Sequence, residues 1–320
     1  MSALLELQNV SVAIGSAQLL DGVSLRLERG QTLGLVGESG SGKSLTAMAA
    51  MGLLPLIGGH VSAGSVRFDG QDLATLTDPQ RRALRGRRIG FVTQNPMTAL
   101  DPVQRIGAQI DVVSRLHLGL TKPAARARTL DLLTQLRIPE AQAVAEAWPH
   151  QLSGGMKQRI VIAMALAGDP ELMIADEPTT ALDVTVQAQI IQILAGLVRE
   201  KSVALLLITH DMGVVAQICD RVAVLYAGRL AEEGAVAPIF AAPQHPYTKA
   251  LITCIPQEGM ARGTLRGIPG AVPSARQYPT GCRFHPRCVK ATAACAKQTP
   301  PLITRGDGQA ACLHLPESAL

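Results

Sequence analysis

"TLGLVGESGSGKSLTAMAAMGLL", Thr32 to Leu54, decides how this chain is read. An apolar strand-like run opens it and a helical pattern closes it. Between them Gly37, Glu38, Ser39, Gly40, Ser41, Gly42, Lys43 and Ser44 fit G-x-x-x-x-G-K-[ST]. Strand, glycine turn and helix are the setting such a loop needs. Its backbone N–H groups curl around phosphates, Lys43 can reach the β and γ phosphates of a nucleotide, and Ser44 can hold Mg²⁺. The expected ligand is therefore a nucleoside triphosphate with Mg²⁺.

Outward from the loop, "LLELQNVSV", "GVSLRL" and "GSVRFDG" read as strands of an N-terminal β region. The strand "RIGFVTQ" leads to Gln94, after which helical periodicity dominates from about Val103 to Ala167. A helical subdomain inserted at about residues 97–167 is expected there. Apolar strands return at "ELMIAD", "VALLLITH" and "RVAVLYAG", alternating with helical stretches such as "VTVQAQIIQILAGLVRE". Strands apolar on both faces, alternating with helices, indicate a parallel sheet covered by helices. The first of these three ends in Asp176 and Glu177. A carboxylate at that place can hold Mg²⁺ through water, and the next can orient or deprotonate an attacking water.

Composition narrows the class. Hydrophobic residues make up 47% and aromatics 2%, so the core is built from Leu, Ile, Val, Ala and Met, as suits an α/β protein. A formal charge of +5 with few aromatics argues against nucleic-acid binding. The basic run "RRALRGRRIG" is read as a solvated turn or helix face. No secretory pattern opens the sequence, and no apolar run approaches the roughly 18 to 20 residues that cross a bilayer. Beyond about Ala235 prolines crowd the chain and periodicity fades. The expected division is a nucleotide-binding domain over 1–235 and a loop-rich C-terminal domain over 236–320.

"HQLSGGMKQRIVIAMAL", His150 to Leu166, is the most specific stretch. Ser153, Gly154 and Gly155 open a long apolar helix, whose N-terminal N–H groups and dipole form a second anion site. Together with the phosphate loop, Gln94, "MIADEP", "ALD" (Ala181 to Asp183) and His210 in "LLLITHD", in that order, it resembles the ATPases of ABC transporters over roughly the first 240 residues. The resemblance implies a RecA-like P-loop core with an N-terminal antiparallel β subdomain and an inserted helical signature subdomain. It also implies two nucleotide domains meeting head to tail, each ATP sandwiched between the loop of one and the signature of the other. Lys43, Ser44, Asp176 and Gln94 would hold phosphate and Mg²⁺, Glu177 would activate water, and His210 would contact the γ phosphate. Asp183 and the signature residues would complete the nucleotide site. One departure stands out: residues 1 to 36 contain no Phe, Tyr, Trp or His to stack on adenine, and "SVAIG" offers only Ile14. A weaker preference for adenine over guanine nucleotides is expected.

Six cysteines in a chain of cytosolic character are not expected to pair as disulfides. Cys219 and Cys254 sit in apolar surroundings as small core side chains. Cys282, Cys288, Cys295 and Cys312 follow C-x5-C-x6-C-x16-C. Four thiolates can hold Zn²⁺ or an iron–sulfur cluster, although zinc sites more often show a C-x2-C knuckle. "QNPMTALDPVQRIG" and "APQHPYTKALI" resemble the ATPases of peptide and nickel importers. That resemblance favours a [4Fe-4S] cluster on these four cysteines, with Zn²⁺ as the alternative, taking no part in ATP chemistry. His285 and His314 are read as bystanders, and His245 as part of a capped helix start. The implied machine is a peripheral ATPase at the cytoplasmic face of the plasma membrane. Its implied partners are a second, paralogous ATPase subunit, two transmembrane permease subunits and an extracytoplasmic substrate-binding protein. Di- or oligopeptides are the implied cargo, with nickel or another small solute as the alternative. A soluble ATPase clamping nucleic acid would normally need tandem nucleotide domains or a long coiled coil, and neither is present.

Overall fold

The computed structural model describes residues 3–179, 183–256 and 267–315. In chain order, the first elements are strands β1 (Leu5–Ile14), β2 (Ala17–Leu27) and β3 (Thr32–Val36), helix α1 (Lys43–Ala50), and strands β4 (Gly59–Phe68) and β5 (Gln71–Asp72). Helix α2 (Asp78–Leu84) and strand β6 (Ile89–Val92) lead into five helices: α3 (Pro96–Ala99), α4 (Ile106–Leu118), α5 (Lys122–Gln135), α6 (Ala141–Glu146) and α7 (Gly154–Leu166). Then come β7 (Leu172–Asp176), α8 (Val184–Lys201), β8 (Ala204–Thr209), α9 (Met212–Ile218), β9 (Arg221–Tyr226) and β10 (Arg229–Ala235). Helices α10 (Val236–Ala241), α11 (Pro246–Thr253) and α12 (Ala293–Lys297) precede strands β11 (Ile303–Arg305) and β12 (Gly308–Ala310).

These elements fall into two compact units. One comprises Met1–Leu27, Thr32–Ala74 and Ile208–Leu320; the other comprises Glu28–Gln31 and Thr75–Leu207.

In the first unit an antiparallel sheet has the order β2-β1-β4-β5. Alternation between core and solvent is clearest at residues 5–8 of β1 and 23–27 of β2, as one-sided burial requires. Strand β3 is different: all five of its residues are buried, and it runs parallel to β9 with Leu33 opposite Arg221. Asp220 sets that register. Its carboxylate accepts from Thr32 N and Thr32 Oγ1, both at 2.7 Å. Strand β9 continues antiparallel into β10, which pairs with β12, and β12 with β11. The basic run largely follows expectation in the second unit. Helix α2 buries none of its residues, and Arg81 pairs with Asp78, while Arg88 pairs with Glu171.

The second unit carries the parallel pair β6 and β7, with β8 beside β7, and the helical run α3 to α7. No described helix is long and apolar enough to cross a membrane.

The end of the chain differs from its sequence reading. Residues 303–310, expected to be loop, form a hairpin whose second strand pairs Ala310 with Glu232 and Gln309 with Glu233. Strands of three residues carry no readable periodicity; they exist because β10 offers them an edge. Residues 208–320 share one compact unit with the N-terminal strands.

Candidate functional site

The phosphate loop follows β3 into α1 within the first unit. Gly37 adopts φ +152°, and a Cβ there would overlap the Leu225 carbonyl oxygen, so only glycine fits. Gly42, at the N-cap of α1, sits at φ 106° for the same reason of handedness. Lys43 is buried, and its ammonium donates to the carbonyls of Gly37 (2.7 Å) and Glu38 (3.1 Å). Ser44, Ser39 and Gly40 are exposed. His210 is also exposed, at the end of β8; after it Asp211 caps α9 by accepting from Gly213 N and Val214 N.

The second unit gathers the other predicted residues. Asp176 is the last residue of β7, and Glu177 follows it at φ 46°. A glutamate in the left-handed region is strained, and such strain is commonly held where a side chain has to be aimed. Gln94 is exposed beyond β6, and its Nε2 donates to Glu177 Oε2 at 3.1 Å. Two residues 83 positions apart are thereby brought together. Ser153 caps α7, its Oγ accepting from Met156 N at 3.3 Å, and Ser153 and Gly154 are exposed at that helix start. Asp183 caps α8 by accepting from Val186 N at 2.9 Å. Ala181 and Leu182, between them and the carboxylate strand, lie outside the described residues.

A family model for ABC transporters matches residues 20–180. A second, described as the C-terminal region of oligopeptide and dipeptide transporters, matches residues 231–295. The dipeptide transport ATP-binding protein of Escherichia coli is 43% identical over 318 residues, covering 98% of this chain and 97% of that protein. This chain belongs to the ABC transporter ATPase family. An oligopeptide transport ATP-binding protein of Bacillus subtilis is 42% identical over 97% of the chain and 95% of its own length. Among solved structures, a dimeric ATP-binding cassette in a post-hydrolysis state with ADP and phosphate aligns with a TM-score of 0.64 at 29% identity. It covers 72% of this chain and 98% of that one.

In this ABC ATPase the cysteine segment lies in the first unit. Cys282 and Cys288 flank a tight turn in which His285 N bonds Cys282 O (3.0 Å) and Arg287 N bonds Phe284 O (3.0 Å). Two sulfurs accept a backbone N–H from two residues on: Lys290 to Cys288 (3.4 Å) and His314 to Cys312 (3.4 Å). Burial raises the Cys282 thiol above its usual range, and Cys295, Cys288 and Cys312 add to the shift. Among the described residues, however, no three or more His, Cys, Asp or Glu side chains stand close enough together to hold a metal ion. His314, read as a bystander to the cysteine site, has its Nε2 3.3 Å from Cys295 Sγ and 3.1 Å from Thr292 Oγ1. Cys219 behaves as expected of a core thiol, pushed up to about 12 by burial.

Sequence reading missed what surrounds Glu38. Its backbone N–H donates to the hydroxyl of Tyr247, a fully buried residue of α11, at 2.8 Å. Its carboxylate is gripped by Arg287, with Nη1 to Oε2 at 2.7 Å and Nη2 to Oε1 at 2.9 Å. The cysteine segment, expected to take no part in ATP chemistry, thus contacts the phosphate loop through Arg287. A signal was present: Glu38 is a carboxylate inside an anion-binding loop, which calls for a cation nearby. The aromatics pointed the same way, since Tyr226, Phe240, Tyr247, Tyr278 and Phe284 all fall late in the chain.

Proposed function

We propose that this ABC ATPase is the energising subunit of an importer for di- or oligopeptides, peripheral at the cytoplasmic face of the plasma membrane. The observation that carries the reading is the match of residues 231–295 to the C-terminal region of oligopeptide and dipeptide transporters, joined to near full-length similarity to peptide-transport ATPases. In this reading, residues 1–235 bind and hydrolyse ATP and 236–320 form the region particular to such importers. The partners are a paralogous second ATPase subunit, two transmembrane permease subunits and an external binding protein.

The roles follow from chemistry. The loop Gly37–Ser44 cradles the phosphates, with Lys43 turning from loop carbonyls to phosphate oxygens. Ser44, Gln94 and Asp176 are oxygen donors, the type Mg²⁺ takes; the ion would neutralise charge on the phosphates. Glu177, braced by Gln94, accepts the proton of the attacking water, and His210 contacts the γ phosphate. Ser153, Gly154 and Gly155, at the start of α7, meet the ATP held by the partner subunit, completing its site. ATP binding then favours the closed pair of subunits because it contacts both.

Cys282, Cys288, Cys295 and Cys312 are the proposed ligands of a [4Fe-4S] cluster, although among the described residues no three such side chains stand close enough together to hold a metal ion. The proposal rests on the chemistry of the donor set alone, four cysteines being a set that such a cluster takes. Such a group would supply a structural cross-link or a redox-sensitive one. The metal assignment is tested by iron, acid-labile sulfide and zinc content after purification without oxygen. Equal iron and sulfide, lost in Cys282→Ser, support it; zinc alone replaces it with a structural zinc site.

The cargo is tested by purifying the complete transporter and measuring ATPase stimulation by its binding protein loaded with dipeptide, oligopeptide or Ni²⁺. Stimulation by peptide alone supports the proposal. Stimulation by nickel alone transfers the chain to the metal importers.

A further inference from the structure

Arg287 lies 249 positions from Glu38 in the chain, yet its guanidinium group grips the carboxylate of that phosphate-loop residue. Besides the two bonds to the Glu38 carboxylate, Nη1 reaches Tyr226 Oη at 3.3 Å. Nε donates to the Pro269 carbonyl at 2.8 Å and Nη2 to the Ile268 carbonyl at 3.1 Å. The side chain is 5% exposed and that of Glu38 30%. A planar fork held at five points and shielded from water is a rigid clamp, unlike a surface ion pair.

The clamp's base is the turn between Cys282 and Cys288, with Arg287 immediately before the second thiol. The same turn places Phe284 against the two tyrosines: ring centroids lie 5.1 Å apart for Phe284 and Tyr226, 5.2 Å for Phe284 and Tyr247, and 4.6 Å for the tyrosine pair. Tyr247 in turn accepts the backbone N–H of Glu38. Glu38 is therefore held twice from the C-terminal region, by its side chain through Arg287 and by its main chain through the aromatic stack. Its carbonyl is one of the two that receive the Lys43 ammonium.

We propose that Arg287 is a positioning residue that ties the conformation of the cysteine-bearing turn to that of the phosphate-binding loop. A change in the turn, from gain or loss of a group on its thiols, moves Arg287 and with it Glu38. The loop then presents its N–H groups and Lys43 to phosphate in a different geometry. The inference rests on Gly37–Ser44 being the nucleotide site and is independent of which group the cysteines hold.

The experiment measures the Kd of a fluorescent ATP analogue with Mg²⁺, alongside the Tm, for the full chain and for Arg287→Met, Glu38→Gln, the double variant, and Cys288→Ser with and without Arg287→Met. Lys43→Ala, which removes the phosphate contact itself, identifies the loop as the site being read. Loss of one charge-assisted pair is expected to raise the Kd roughly tenfold in either single variant. The double variant is expected to bind no more weakly than the singles, and Cys288→Ser to raise the Kd in the parent but not in the Arg287→Met background. Glu38→Gln keeps the side chain's shape, so it decides the matter if Arg287→Met fails to fold. An unchanged Kd in folded Glu38→Gln overturns the proposal. So does an equal Cys288→Ser shift in both backgrounds. Normal binding by Lys43→Ala instead overturns the assignment of the loop.

Discussion

Glu177 is where residue chemistry is most exposed to test. It combines a left-handed backbone with a hydrogen bond from Gln94. Glu177→Gln keeps the shape and removes the base. ATP is expected to bind as before while steady-state hydrolysis falls by roughly 10²-fold or more, the usual worth of a positioned general base. Near-parental turnover would remove Glu177 from that role. His245 offers a pH test. Its Nδ1 accepts from Tyr247 N at 3.0 Å, and burial pushes its pKa down to about 4. The fold therefore holds it neutral, while the unfolded chain protonates it near pH 6.5. Between those values the unfolded state binds more protons, so stability is present above pH 6.5 and is lost as pH falls toward 4. His245→Asn retains an acceptor without the proton. On going from pH 7 to pH 4 the parent is expected to lose up to about 3 kcal/mol more than this variant, read by urea denaturation.

Among the elements, β3 and β9 form the joint on which the phosphate loop is mounted. The expected strand "TLGLVG" is there, but its register against β9 depends on Asp220, which accepts two bonds from Thr32 and donates its own N–H to Thr32 O at 2.9 Å. Thr32 is buried, so removing the carboxylate strands its N–H, while its hydroxyl keeps the Ile218 carbonyl as acceptor at 3.0 Å. Asp220→Ala is expected to cost about 2 kcal/mol, lowering the Tm by several degrees, while Asp220→Asn recovers part of it. A variant as stable as the parent would show that the strands pair without this pin. The capped start of α11 was legible as "HPYTKAL", because Pro246 suits a first helical turn and His245 supplies an acceptor. That α11 delivers Tyr247 to Glu38 was not legible, since nothing local distinguishes that ring from any other core aromatic.

At the scale of the whole molecule, one chain carries one phosphate loop and one signature helix start. If each ATP is shared between two subunits, as proposed, slowing hydrolysis traps the pair. Glu177→Gln mixed with the partner ATPase is expected to elute as a dimer in size-exclusion chromatography when ATP and Mg²⁺ are present, and as monomers without nucleotide. Adding Lys43→Ala abolishes the shift. A monomer under all conditions would place dimerisation under the control of the permease instead.

The sequence by itself determined the family, most of the longer strands and helices through Tyr226, the phosphate loop, the carboxylate pair and the signature helix. These are legible because they are local. A glycine at Gly37 or Gly42 answers a backbone angle, a buried strand reads as an apolar run, and a cap sits next to the helix it caps. Only the tertiary structure decided that Gln94 meets Glu177, that Ile303–Arg305 and Gly308–Ala310 are strands, and that Arg287 grips Glu38. Each of these joins residues far apart in the chain, or takes its conformation from an edge supplied elsewhere. The energy that fixes them comes from burial and pairing in the assembled fold, for which short polar segments carry no periodic trace.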